Sequence, residues 1–167
     1  MDEVQAKKLV ETYSDMILRI GLHYFGQVCD AEDICQNVFL KMIREKRLFD
    51  SPEHEKAWII RVTINECKNR LRSSYYRKTV RLEDCADLPE PFIENEKSGV
   101  WQAVRDLPRN YRLSIYLYYY EGYSAGEIGK MMGKNENTVA AYLSRGRKKL
   151  RRILEEEESK GGYEYAR

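Results

Sequence analysis

Residues that build metal centres, disulfide scaffolds and membrane spans are scarce in this chain. Its 167 residues include four cysteines, Cys29, Cys35, Cys67 and Cys85, widely spaced and without a CxxC pair, and two histidines, His23 and His54. That set argues against a zinc site, so no metal or other cofactor is expected, and the thiols read as reduced and buried. No apolar run approaches the 18 residues of a membrane span and no secretory signal opens the chain. A cytoplasmic protein with no direct membrane insertion is therefore expected. There is neither an internal repeat nor a low-complexity segment. The first hundred residues hold no catalytic glycine turn, metal cluster or nucleophile with organised partners, so an enzyme such as a recombinase is not expected. Four prolines leave long stretches free to be helical.

What the chain does have is charge, 34% of its residues, sorted into blocks beneath a net of only +2. The densest basic block runs from Ser124 to Arg152, with eight Lys or Arg against two Glu, a net of +6. Ser124 followed by Glu127 reads as a capping box opening a short helix with Ile128, Met131 and Met132 on its apolar side. Gly133 can end that helix in the left-handed conformation. Asn135 then caps a second helix whose Val139, Leu143, Gly146 and Leu150 recur at inward spacing. Its other side carries Asn137, Ala140, Ala141, Ser144, Arg145 and Lys148. Small and polar residues near the start of such a helix suit base edges in a major groove, and cations further along suit phosphates, the pattern of a helix-turn-helix.

Upstream, residues from about Ala6 to Tyr24 have the spacing of an amphipathic helix. Asp30 is placed to cap a second helix reaching about Glu45, with Cys35, Val38, Phe39 and Met42 inward. Asp33, Gln36, Asn37, Leu40, Lys41 and Arg44 share the opposite stripe. Leu40, apolar in a polar stripe, suits either a protein-docking surface or an ordinary solvated face. Lys46 to Lys56, with its Ser-Pro step, reads as a loop, either alone or with one turn of helix, in which Phe49 plugs the core. A third helix is expected from about Ala57 to Ser73, with Ile60, Ile64, Cys67 and Leu71 on one stripe and Arg61, Asn65, Lys68 and Arg72 on another. Seven Lys or Arg face one Glu between Arg61 and Arg81, interleaved with Tyr75 and Tyr76. Aromatics among cations suit unpaired bases. Trp58, at the border of that stripe, reads as core or as a stacking platform.

Between Leu82 and Lys97 acidic residues and Pro89 and Pro91 accumulate, the composition of an extended linker. Helical spacing resumes at Ser98 and stops at Pro108. A buried helix is expected from Arg109 to Glu121, with Tyr116 and Tyr119 in the core. The acidic run 155–158 and the last residues are expected to fray. The fold class expected is all-α: two small helical domains joined by an acidic linker, the second containing the helix-turn-helix. The boundaries are 1–75, a linker 76–97, 98–155 and a tail 156–167.

Taken in this order, three blocks resemble the extracytoplasmic-function (ECF) subgroup of the sigma-70 family of RNA polymerase sigma factors. They are DAEDICQNVFLKM at 30–42, AWIIRVTINECKNRLR at 57–72, and LPRNYR at 107–112 followed by the helix-turn-helix. The resemblance implies a specificity subunit that binds core RNA polymerase and promoter DNA. Asp33, Gln36, Asn37, Leu40 and Lys41 would meet the clamp helices of the largest polymerase subunit. Phe49 and Asp50 would help hold a base flipped from the minus-10 strand, with Arg61, Asn65, Lys68 and Arg72 on the same element. Asn137, Thr138, Ala141, Ser144, Arg145 and Lys148 would approach the minus-35 duplex. It also implies an anti-sigma protein as partner and a linker in or near the RNA exit path. Ala140 and Tyr142 stand where relatives often carry Lys and Arg, so the promoter sequence cannot be borrowed. The alternative is an autonomous helix-turn-helix regulator, which would have no use for the Asp33 to Arg44 stripe.

Overall fold

A computed structural model describes residues 2–73 and 99–160. The chain divides into two compact units, Met1–Ala86 and Asp87–Arg167. The described residues are helices and turns without strand.

The first unit packs α1 (Glu3–Phe25), α2 (Val28–Glu45) and α3 (Pro52–Arg72) around one core. Asp2 and Gln5 close a capping box at the start of α1, and Gly26 at φ 67° ends the helix. Ile17, Ile20, Ile34, Val38, Ile59, Ile60 and Ile64 are fully buried. Burial of such side chains contributes roughly 1.5–3 kcal/mol each, enough to override the modest helix propensity of β-branched residues.

Two starts differ from expectation. The second helix begins at Val28, after Gln27, and Asp30 is not its cap but lies inside its first turn, 1% exposed. The Arg70 guanidinium donates to Asp30 Oδ1 at 2.7 and 3.2 Å, which is what lets a carboxylate sit there. The third helix begins at Pro52 rather than near Ala57. Ser51 Oγ accepts from the His54 N–H at 3.2 Å and Pro52 occupies the first turn, where no amide hydrogen is needed. A Ser-Pro step read as a breaker is therefore a helix start. The extra turn carries Glu55, which accepts from the Tyr13 hydroxyl at 2.7 Å and ties α3 to α1.

Cys35 and Cys67 are buried thiols outside any disulfide; burial, with the charge of Glu32 adding to it, pushes the Cys35 thiol up to about 11. Cys29 is disulfide-bonded, which overturns the reading of all four cysteines as reduced thiols. Cys85, Tyr75, Tyr76, the acidic linker and the last seven residues lie outside the described residues.

The second unit contains α4 (Gly99–Arg105), α5 (Arg109–Ile115), a π turn (Tyr116–Tyr120), α6 (Ala125–Met132) and α7 (Glu136–Ser159). Leu107, Leu113, Leu117, Ile128, Met132, Val139 and Leu143 form its core. The single helix expected from Arg109 to Glu121 is α5 followed by the π turn, closed by the Glu121 N–H to the Tyr116 carbonyl at 3.2 Å. A π turn winds more residues per turn, so the faces beyond it slip out of register. Tyr116 stays buried, but Tyr119 is 59% exposed, beside exposed Tyr118 and Tyr120, where the sequence placed it in the core. The acidic run 155–158 does not end the helix; α7 continues through it.

Candidate polymerase and nucleic-acid interfaces

The α2 stripe faces outward. Asp33, Gln36, Asn37 and Arg44 are exposed, Leu40 is 49% exposed, and Ile34, Cys35, Val38 and Met42 occupy the buried side. Two members are already engaged. Arg70 reaches past Asp30 to Asp33 Oδ2 at 3.0 Å, and Lys41 Nζ lies 4.0 Å from Glu66 of α3. Asp33 nonetheless leaves half of its side chain in solvent. One guanidinium orients both carboxylates, so Asp33 is presented in a fixed direction from a rigid helix. The stripe can therefore accept hydrogen bonds around a central apolar contact. Arg70 appears in the motif at 57–72, yet its orienting role was not legible there, because its partners lie 40 and 37 positions away.

On α3, Arg61, Asn65 and Arg72 are exposed and Lys68 half-buried, while Ile60, Ile64 and Cys67 are buried on the opposite side. The stripe thus exists as the spacing expects. At the helix entrance Phe49 is half-buried, its ring 5.4 Å from that of Trp58, and Asp50 is exposed. Arg47, which the sequence did not single out, sits over both rings at 5.9 and 5.8 Å from their centroids. Trp58 is thus neither fully core nor free. A cation over paired aromatics on a loop can hold a flat π system beside a phosphate.

In the second unit the Ser124–Glu127 box forms in both directions, at 3.2 and 2.8 Å. Gly133, at φ 70°, ends α6 with its N–H on the Gly129 carbonyl. Gly129 itself permits the tight turn: a Cβ there would lie 2.5 Å from the Lys134 carbonyl oxygen. Asn135 Oδ1 accepts from the Thr138 N–H at 2.7 Å and starts α7. Ahead of these helices Arg112 donates to the carbonyls of Arg105 and Leu107 at 3.0 Å, fixing the end of α4 against α5.

Of the residues expected on the DNA side of α7, Asn137, Arg145 and Lys148 are exposed, and Thr138, Ala141 and Ser144 half-buried. Neighbouring charges are occupied: Arg147 donates to the Tyr119 hydroxyl at 3.0 Å and Lys149 sits 6.0 Å from the Tyr111 ring. Tyr142 packs beside Tyr111 and accepts from Asn110 Nδ2 at 3.4 Å. Arg145 and Lys148 carry no ion pair among the described residues and face solvent from one side of the helix. Among the described residues no cluster of His, Cys, Asp and Glu could hold a metal ion, and no helix is long and apolar enough to cross a membrane.

The α2 and α3 stripes lie within one known region and the α7 surface within another. Residues 9–77 match sigma-70 region 2 and residues 99–150 match sigma-70 region 4. The chain belongs to the ECF sigma factors of the sigma-70 family. It is 29% identical over 126 residues to the ECF RNA polymerase sigma factor SigM of Mycobacterium tuberculosis, covering 75% of this chain but 64% of SigM. Against SigW of Bacillus subtilis it is 29% identical over 162 residues, 87% of each chain. In fold it resembles the sigma factor RpoE of Bartonella quintana, solved in complex with the anti-sigma factor NepR. That likeness has a TM-score of 0.70 at 20% identity, over 89% of this chain and 96% of RpoE. CnrH, solved with the cytosolic domain of CnrY, aligns with a TM-score of 0.64 at 20% identity, over 93% of this chain and 91% of CnrH.

Proposed function

We propose that this ECF sigma factor binds core RNA polymerase in the cytoplasm and directs it to promoters by reading a minus-10 and a minus-35 element, with no chemistry of its own. The observation that carries this reading is the outward α2 stripe around half-exposed Leu40, in a chain whose second unit already has a helix-turn-helix. An autonomous regulator has no use for that stripe. Asp33, Gln36, Asn37, Leu40 and Lys41 contact the polymerase clamp. Phe49 and Asp50 hold an unpaired minus-10 base, and Arg61, Asn65, Lys68 and Arg72 follow the strand. Asn137, Thr138, Ala141 and Ser144 approach base edges of the minus-35 duplex while Arg145 and Lys148 hold phosphates. Residues 1–75 then form the core and minus-10 module and 98–155 the minus-35 module, linked by 76–97. An anti-sigma protein covering these surfaces is the expected regulator, as NepR accompanies RpoE.

Run-off transcription with core polymerase on a genomic fragment library tests the reading. Discrete start sites that appear only when the chain is added are expected, with shared upstream elements. Transcripts identical to those of core alone contradict it.

A further inference from the structure

Four helices of this chain open on a side chain that accepts a hydrogen bond from the first turn: Asp2 for α1, Ser51 for α3, Ser124 for α6 and Asn135 for α7. The helix that carries the polymerase stripe does not. Gln27 stands at its N-cap without a side-chain hydrogen bond, and Gly26 and Gln27 are the two residues between α1 and α2. A first turn without a capping side chain leaves backbone N–H groups to water and frays more readily than a capped one. Cys29, the second residue of that turn, is half-buried and disulfide-bonded. A covalent tie therefore stands where the other helices have a cap.

What the tie steadies is the origin of the stripe's geometry. Asp30 follows Cys29 directly and accepts from Arg70 at 2.7 and 3.2 Å. The same guanidinium reaches Asp33, further along the helix, at 3.0 Å. From Ala31 onward α2 is locked by packing: Ala31 is fully buried, and a Cβ on Gly21 would lie 2.9 Å from it. Ahead of Ala31 the turn relies on the tie and on the Asp30–Arg70 pair, and it is closed by the Ala31 N–H donating to the Gln27 carbonyl at 3.2 Å. Cys35, 9% exposed, and Cys67, fully buried, lie outside any disulfide. Thiol reagents reach a half-buried sulfur before buried ones. Where polymerase works, thiols are kept reduced, and a disulfide there is transient and redox-sensing instead of a permanent crosslink.

We propose that Cys29 is a redox modification site: its disulfide holds the first turn of α2 in the form that presents Asp33 to core polymerase, and reduction loosens that turn. This deepens the polymerase-binding reading and rests on it. Formation of the bond takes one hydrogen from each of two thiols. With hydrogen peroxide as oxidant, one thiolate attacks a peroxide oxygen, the O–O bond breaks and water leaves; a second thiol then displaces the remaining oxygen of the sulfenic acid as another water. A dithiol reductant reverses the step by attacking one sulfur, returns both thiols and ends as a disulfide itself.

The test compares the full chain oxidised with hydrogen peroxide and the same chain reduced with a phosphine, each titrated against fluorescently labelled core polymerase. Iodoacetamide labelling and mass spectrometry establish the state of Cys29 in each sample. Oxidised wild type is expected to bind core about tenfold more tightly, because apparent affinity scales with the fraction of molecules in the competent form. Cys29→Ser is expected to bind with the reduced affinity under both conditions. Amide hydrogen exchange gives a readout that needs no polymerase: reduction is expected to speed exchange at Ala31 and leave Val38, in the middle of α2, unchanged. Equal core affinity of the two wild-type forms, tighter binding by the reduced form, or a redox response that survives in Cys29→Ser overturns the proposal. So does Ala31 exchange that ignores the redox state. Core binding by neither form, with Ala31 still responding to reduction, instead refutes the polymerase-binding reading itself.

Discussion

Arg70 holds two carboxylates of different character. Asp30, 1% exposed, has that guanidinium as its hydrogen-bond partner in the interior, whereas Asp33 uses it for aim. Removing one partner of a buried pair costs about 3–5 kcal/mol, because the other charge is stranded. Arg70→Ala is therefore expected to destabilise the first unit by about 3 kcal/mol in denaturant unfolding. Asp33→Ala, at a half-exposed position, should change stability by less than about 1 kcal/mol. Similar losses for both would mean that Asp33 is a structural residue, not one held out for a partner. The Asp33 stripe could be read from spacing alone because an α-helix repeats its faces every 3.6 residues. Asp30, on the same helix, could not: nothing local distinguishes a cap from a buried acceptor whose donor is 40 positions away.

Helices and turns show the same boundary between what is local and what is not. The Ser124–Glu127 box and the Asn135 cap are local chemistry, and both form as spelled. Ser-Pro before α3 has two meanings, one ending a helix and one beginning it, and here Ser51 caps and Pro52 opens the helix. The π turn at Tyr116–Tyr120 leaves no mark in a constant 3.6-residue spacing. Glycines divide likewise. Composition gives Gly126 and Gly129 the same propensity penalty, yet a Cβ at Gly126 meets only the flexible Glu136 side chain at 3.6 Å, while at Gly129 it strikes backbone. Gly126→Ala is expected to stabilise the second unit by up to about 1 kcal/mol and Gly129→Ala to destabilise it by about 2 kcal/mol, as thermal unfolding would report.

The capping box also sets a pH dependence. The Ser124 backbone N–H, followed by that residue's side chain, holds Glu127 below the ordinary carboxylate range. A depressed folded-state value means the ionised form is favoured by folding, so its contribution is complete above the unfolded value and fades as pH falls through the lower one. The stability advantage of wild type over Glu127→Ala should thus be constant near neutrality and shrink below about pH 4.3. An advantage that grew on acidification would contradict the assignment.

At the scale of the whole molecule, each of the two compact units carries a surface that is modest alone. One has the α2 and α3 stripes and the other two exposed cations with small residues on α7. Joining two weak contacts through a third body raises effective concentration without new contacts, so neither needs to be tight. The order of the three sequence blocks made this division legible. The disulfide at Cys29 was not, since a count of cysteines does not say which of them pair. The same holds for Arg147 and Lys149, whose charges the sequence counts toward the DNA side although Tyr119 and Tyr111 engage them.

The most direct measurement is a band-shift on promoter duplex with and without core polymerase, comparing wild type, Asp33→Ala and Arg145→Ala. Tight, specific binding is expected only when core is present. Asp33→Ala should lose it through weaker association with core, and Arg145→Ala through weaker minus-35 recognition with core association intact. Tight, specific binding by the free chain, or equal loss of core association in both variants, would contradict a protein whose two surfaces work only together on the polymerase.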